Sequence, residues 1–219
     1  AGGLGGALAL PFLRRPALGA ASASRDFEIL RVGEPIGRQT TTVADLGDAL
    51  EVTVEARIAV KLLGVTVYRY ALDSRERWQD GRLVSLQGAT DDDGEAQRAE
   101  VTRQDGKLVS KGTWRGELPE GCATTTYWTE AFLRREVWVS TQTGAPQRVG
   151  AARQGRESIP GPDGPLDCAR WRVSGDIDLT LYFDDRGEWM GSAFEAGGEQ
   201  ARFRAQTGGA QLAALWGTE

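Results

Sequence analysis

Between Leu50 and Val60 the chain alternates, with Leu50, Val52, Val54, Ala56, Ile58 and Val60 set against Glu51, Thr53, Glu55, Arg57 and Ala59. A period of two marks a strand with one dry and one wet face, because successive side chains leave an extended backbone on opposite sides. The pattern returns where Ile177, Leu179, Leu181 and Phe183 alternate with Asp176, Asp178, Thr180 and Tyr182. From Val65 to Tyr70 β-branched and aromatic residues occupy both parities, which reads as a strand, buried on both sides, running toward Trp78.

Asp80-Gly81, Asp93-Gly94 and Asp105-Gly106 separate such runs and supply the positive φ angles of tight hairpins. Further strands are expected around Phe27–Arg31, Ile36–Val43, Leu83–Leu86, Leu108–Val109, Val137–Val139, Ala169–Ser174, Trp189–Phe194 and Arg202–Gln206. Gly116 to Arg135 breaks the meander, and Thr129 is placed to cap a short helix through Arg134. Pro160 to Pro165 reads as a rigid turn outside any sheet, and Leu212–Trp216 as an apolar tail over an edge or an open end. The expected fold is all-β, an antiparallel meander of about 11–12 strands forming an open or half-open barrel with one short helix. Residues 25–219 are expected to form one domain.

Composition narrows the function. Twenty-six basic against thirty-one acidic residues give a net charge of −5, which offers no general attraction for nucleic acid. Histidine is absent, and with it the commonest general base and metal ligand, so catalysis would rest on carboxylates, tyrosines or lysines. No cofactor and no metal are expected. Gly2 to Leu13 is small and apolar, Arg14 and Arg15 interrupt it, and Ala21-Ser22-Ala23 before Ser24 fits an export cleavage site; residues 1–24 are taken together. They read as a signal-peptide remnant or an N-terminal tether, which points to a periplasmic protein, membrane-associated if the segment is kept. Leu4–Leu13, interrupted by Pro11, is too short to span a bilayer. In an oxidising compartment Cys122 and Cys168 could form a disulfide closing a loop of about 45 residues, worth roughly 3–4 kcal/mol.

Parity also selects candidate site residues. Tyr68, Tyr70, Glu76 and Trp78 share one face of a long strand, and Asp176, Asp178 and Tyr182 share the hydrophilic face of a later one. Facing a concave cavity, they would orient a polar head group while apolar neighbours hold a tail; facing outward, they are a solvated sheet surface. Tyr127 and Trp128 with Phe132 and Leu133 form an aromatic plug or a cavity wall. Asp176 and Asp178 with a tyrosine are the minimum for carboxylate catalysis. Asp91-Asp92-Asp93-Gly94-Glu95 looks like the opening of a calcium loop, but Thr102 stands where the bidentate glutamate belongs, and a hairpin turn accounts for it.

Several motifs together resemble a bacterial family of exported proteins known only as domain of unknown function 6134. They are Phe27-Glu28-Ile29 with Gly33, Ile36 and Gly37; Val60-Lys61-Leu62-Leu63 with Val67-Tyr68-Arg69-Tyr70; and Glu76-Arg77-Trp78 with Asp80-Gly81-Arg82-Leu83. Others are Thr90 to Gly94, Tyr127-Trp128 with Phe132-Leu133, Thr141 to Gly144, Gly175 to Leu179 and Phe194-Glu195-Ala196. The resemblance runs from Arg25 to about Gln206; it departs at Thr129-Glu130, where the family pattern has asparagine and proline. It implies distant similarity to the half-barrel lipoprotein carriers of the bacterial envelope, in which a curved sheet wraps a helix and an apolar cavity. The expectation is a non-catalytic periplasmic protein binding an apolar or lipid-like ligand. Two alternatives stand beside it: an accessory or structural subunit docked on a membrane protein complex, and a carboxylate-based enzyme.

Overall fold

The computed structural model describes residues 21–209 and 211–216. The first half is a meander of long strands: β1 (Ser22–Arg31), β2 (Glu34–Asp45), β3 (Leu50–Leu62), β4 (Val65–Gln79), β5 (Arg82–Asp92) and β6 (Glu95–Gln104). Short strands β7 (Lys107–Lys111), β8 (Arg115–Leu118) and β9 (Ala123–Thr124), a 3-10 turn at Glu130–Arg134, and β10 (Val137–Val139) follow. The chain continues through β11 (Pro146–Gly161), β12 (Gly164–Gly175), β13 (Leu179–Phe183), β14 (Trp189–Ala196) and β15 (Glu199–Ala205) to a 3-10 turn at Ala213–Trp216.

All fifteen strands form one sheet, ordered β8-β7-β6-β5-β4-β3-β2-β1-β15-β14-β13-β12-β11-β10-β9. Every ladder is antiparallel except that between β9 and β10. The two edge strands, β8 and β9, are consecutive in the chain, so the four residues 119–122 hold the edges within roughly 18 Å of each other. The sheet therefore curls into an open barrel. Inside the curl, Trp114 N–H donates to Thr143 O across the gap, at 3.0 Å.

β3 shows why the strands take this form. Val52, Val54 and Ala56 are buried while Glu55 and Arg57 face solvent, as alternation requires. β4 departs from the expectation of two dry faces. Leu72, Ser74, Glu76 and Trp78 point inward, but Val65, Val67, Arg69, Asp73 and Arg75 are exposed, because no second layer covers that side. β13 is the opposite case. All five of its residues are buried, since the β11–β12 hairpin bends at Gln154-Gly155 and folds over β14, placing Ile159 Cδ1 against Gly191.

Three further expectations are corrected. Pro160 and Pro165 pair with each other inside the β11–β12 ladder. There β11 has run past β10 and β12 past β13, so neither proline owes an N–H to a second neighbour. The predicted helix is a single 3-10 turn, capped as expected by Thr129 Oγ1 on the Ala131 N–H. Cys122 and Cys168 are separate buried thiols and not a disulfide; one precedes β9 and the other lies on β12, with β10 and β11 between those strands in the sheet. Burial pushes their thiols up to about 11 and about 12.

The N-terminal expectation falls mostly outside the described residues; Ser22, Ala23 and Ser24 are already in β1, paired with Ala44, Val43 and Thr42.

Candidate functional site

An antiparallel meander sends its turns alternately to the two ends of the barrel. One end carries the turns at Val32-Gly33, Leu63-Gly64, Asp93-Gly94 and Gly197-Gly198; the other carries Gly47, Asp80-Gly81, Asp105-Gly106 and Gly187. The second end is closed from within. Trp216 of the tail packs edge-on against Trp78, Trp128 and Phe132, with ring centroids 5.2 to 5.4 Å apart. Glu188 holds the tail by accepting the Leu212 and Ala213 N–H groups at 3.1 and 2.9 Å, and Arg25 pairs with the same carboxylate.

The first end is open and leads into a cavity of about 760 Å³. Its aliphatic wall is the inward face of β1, β3 and β4, with Ile29, Val54, Ala56, Ile58, Val60 and Leu72. Its aromatic wall is Trp189, Phe194 and Phe203 from β14 and β15, whose rings stack in series. The third side is polar. Tyr68 donates to Asp92 Oδ1 at 2.7 Å, and Gln142 Nε2 donates to the Tyr70 hydroxyl at 2.7 Å.

Tyr127 reaches the cavity from the internal segment between β9 and the 3-10 turn. Its φ of 55° is uncommon for a residue with a side chain. The ring is fixed between Trp138 and Trp189, at 5.2 and 5.9 Å, which offsets the backbone cost. Desolvation raises the phenols of Tyr68, Tyr70 and Tyr127 above the normal range, that of Tyr70 to about 12. All three are neutral donors near neutral pH.

The residues singled out from the sequence fall into three groups. Tyr68, Tyr70, Tyr127 and Asp178 line the cavity. Trp78, Trp128 and Phe132 belong to the aromatic floor under the tail. Asp176 and Tyr182 lie elsewhere: Asp176 accepts the Arg148 N–H at 2.8 Å, and Tyr182 donates to Glu157 beneath the β11–β12 hairpin. Asp178 is ion-paired with Arg172, so the two aspartates do not converge. Sequence reasoning missed Gln142, Asp92 as a wall residue, and the aromatic trio of Trp189, Phe194 and Phe203. The alternation of Phe194 with its neighbours marks it as inward, but only the β1–β15 pairing brings it opposite β3 and β4.

Among the described residues no cluster of three or more Cys, Asp or Glu is placed to hold a metal ion. Asp91 Oδ1 accepts the Gly94 N–H at 2.7 Å, so the acidic run at 91–95 closes a hairpin turn.

Compared with known proteins, residues 27–206 match the family model described as "Domain of unknown function (DUF6134)", and the chain belongs to that family. No curated protein matches. Among solved structures, the chain is similar to a beta-barrel-like protein of domain of unknown function DUF1849 from Brucella abortus. Identity is 11%, with 85% of this chain and 95% of that one covered and a TM-score of 0.57. A likeness at that identity concerns the fold alone, and it agrees with the curled sheet.

Proposed function

We propose that this member of the DUF6134 family is a non-catalytic periplasmic carrier that holds an apolar or lipid-like ligand in its barrel cavity. The observation that carries the reading is the cavity itself. It has about 760 Å³ of space, open at one end and closed by packed tryptophans at the other, with aliphatic and aromatic walls and one polar side. Volume and lining of that kind suit a small apolar molecule, whose transfer from water supplies the driving force. A non-catalytic role is supported by the pairing of the polar groups: Asp92 is held by Tyr68 and Asp178 by Arg172. Export is supported by the composition of residues 1–24.

The test is equilibrium titration with the uncharged dye Nile red. One dye per chain with blue-shifted emission is expected for the wild type. Ala56→Trp, which fills the cavity from its aliphatic wall, is expected to abolish binding while unfolding stays cooperative. Equal binding by the variant would put the dye elsewhere and remove the reading.

A specific observation favours the docked-subunit reading as a second one. Val32, Leu62, Leu63 and Val65 are exposed around the open end, Leu63 by 97%, and such apolar surface marks contact sites. Replacing Leu62 and Leu63 by serine and aspartate is then expected to release the protein from a solubilised membrane complex while Nile red binding is retained. Retention in the complex would end this second reading.

A further inference from the structure

The formal charges on the cavity wall are those of Arg31, Asp92 and Asp178. Arg31 is paired with Glu199 at 3.0 Å and Asp178 with Arg172, while Asp92 accepts the Tyr68 hydroxyl. The wall's arginine is already neutralised by Glu199, so an anionic head group would gain little from it and would shed its water next to the Asp92 carboxylate. A neutral acceptor meets a different wall. Gln142 donates to the oxygen of Tyr70, and the Tyr70 O–H is a further donor with the Thr90 hydroxyl beside it. The Tyr127 hydroxyl has no hydrogen-bond partner among the described residues, although its ring is locked between two tryptophans. The two phenols lie near enough to influence each other electrostatically, and desolvation keeps both protonated. A carbonyl oxygen has two lone pairs and suits a pair of O–H donors.

Resting on the carrier reading, we infer that the cavity selects apolar molecules whose polar end is an uncharged acceptor, an ester or ketone carbonyl, received by Tyr70 and Tyr127, and that it discriminates against anionic amphiphiles. Leaving a buried donor unmatched is costly, so the preference is carried as much by the unpaired phenol as by the bond formed.

The experiment is displacement of Nile red from the full chain at pH 8 by three molecules of equal chain length: dodecane, methyl dodecanoate and dodecanoate. The ester is expected to displace the dye at a concentration at least about tenfold lower than the carboxylate. In the double variant Tyr70→Phe with Tyr127→Phe, the ester is expected to fall to the level of dodecane while dodecane itself is unchanged, which also shows that the cavity has kept its shape. Equal or tighter binding of dodecanoate overturns the inference and leaves the carrier reading standing, as does an ester preference that survives in the double variant. Failure of all three to displace the dye removes the carrier reading and the inference together.

Discussion

Glu76 has no exposed surface; its Oε2 accepts the indole N–H of Trp78 at 2.8 Å and its Oε1 has no hydrogen-bond partner. Burial pushes its carboxyl from 4.5 up to about 7, against the pull of donors on Trp78, Thr124 and Thr126. The proton counts give the sign. Between about pH 4.5 and pH 7 the folded chain keeps a proton that the unfolded chain has lost, so stability falls as pH rises through that window and levels off above it. The full effect is on the order of 3 kcal/mol. Glu76→Gln, which keeps the shape without the charge, is expected to flatten the change in urea midpoint between pH 5 and pH 8 and to be more stable than wild type at pH 8. A variant with the same pH slope as wild type would show that Glu76 is not the titrating group.

At the scale of elements, five hairpin turns share one backbone geometry, a residue with φ near 50° followed by glycine. Three use aspartate, at Asp80, Asp93 and Asp105; two, both at the open end, use Val32 and Leu63. Aspartate suits that conformation and leucine does not. Leu63→Asp is therefore expected to leave thermal stability unchanged or raise it by about 0.5–1 kcal/mol, and a lower melting temperature would reveal a packing role for an exposed side chain. A contrary case is Gly88 on β5, where an added Cβ would lie 1.9 Å from Thr141 O. Gly88→Ala is expected to cost more than about 2 kcal/mol in denaturant unfolding, because backbone and not a flexible side chain stands in the way. Tolerance of the alanine would contradict the close approach of this loop to the sheet.

These elements also show what the sequence made legible. Alternation in β3 and the Asp-Gly turns identified the meander, because each strand has one face on the interior. β11 escaped notice: Arg153, Gln154, Gly155 and Arg156 carry no alternation where the hairpin bends away from the barrel. β13 misled in the other direction, since Thr180 and Tyr182 look solvent-facing but lie beneath that hairpin. The candidate site was half legible for a related reason. Parity correctly placed Tyr68, Tyr70 and Trp78 on one face, but ten residues of strand span about 33 Å, which takes Trp78 to the far end of the barrel. Which tyrosines share a cavity depends on the closure of β1 with β15, a pairing that no local pattern records.

For the whole molecule, the balance lies between a closed end that supplies rigidity and an open end that supplies the site. Arg25 from the first strand and Glu188 from the β13–β14 turn form a buried pair whose side chains are 2% exposed, and the tail hangs on the same carboxylate. Removing one partner of such a pair leaves an uncompensated charge and costs about 3–5 kcal/mol. Glu188→Ala is thus expected to lose about that much stability in urea and to shift tryptophan emission to longer wavelength as Trp216 leaves its aromatic floor; unchanged emission would mean that the tail is held by packing alone. With that end sealed, the proposed carrier role requires a ligand to enter and leave through the mouth beside Leu63 and Tyr68. The measurement that bears most directly on this picture is native mass spectrometry of the protein taken from its native cells, followed by organic extraction of whatever dissociates. A carrier should bring with it an apolar molecule in near-equal amount, absent from Ala56→Trp prepared alongside; an unliganded mass from both proteins would contradict a ligand-holding cavity.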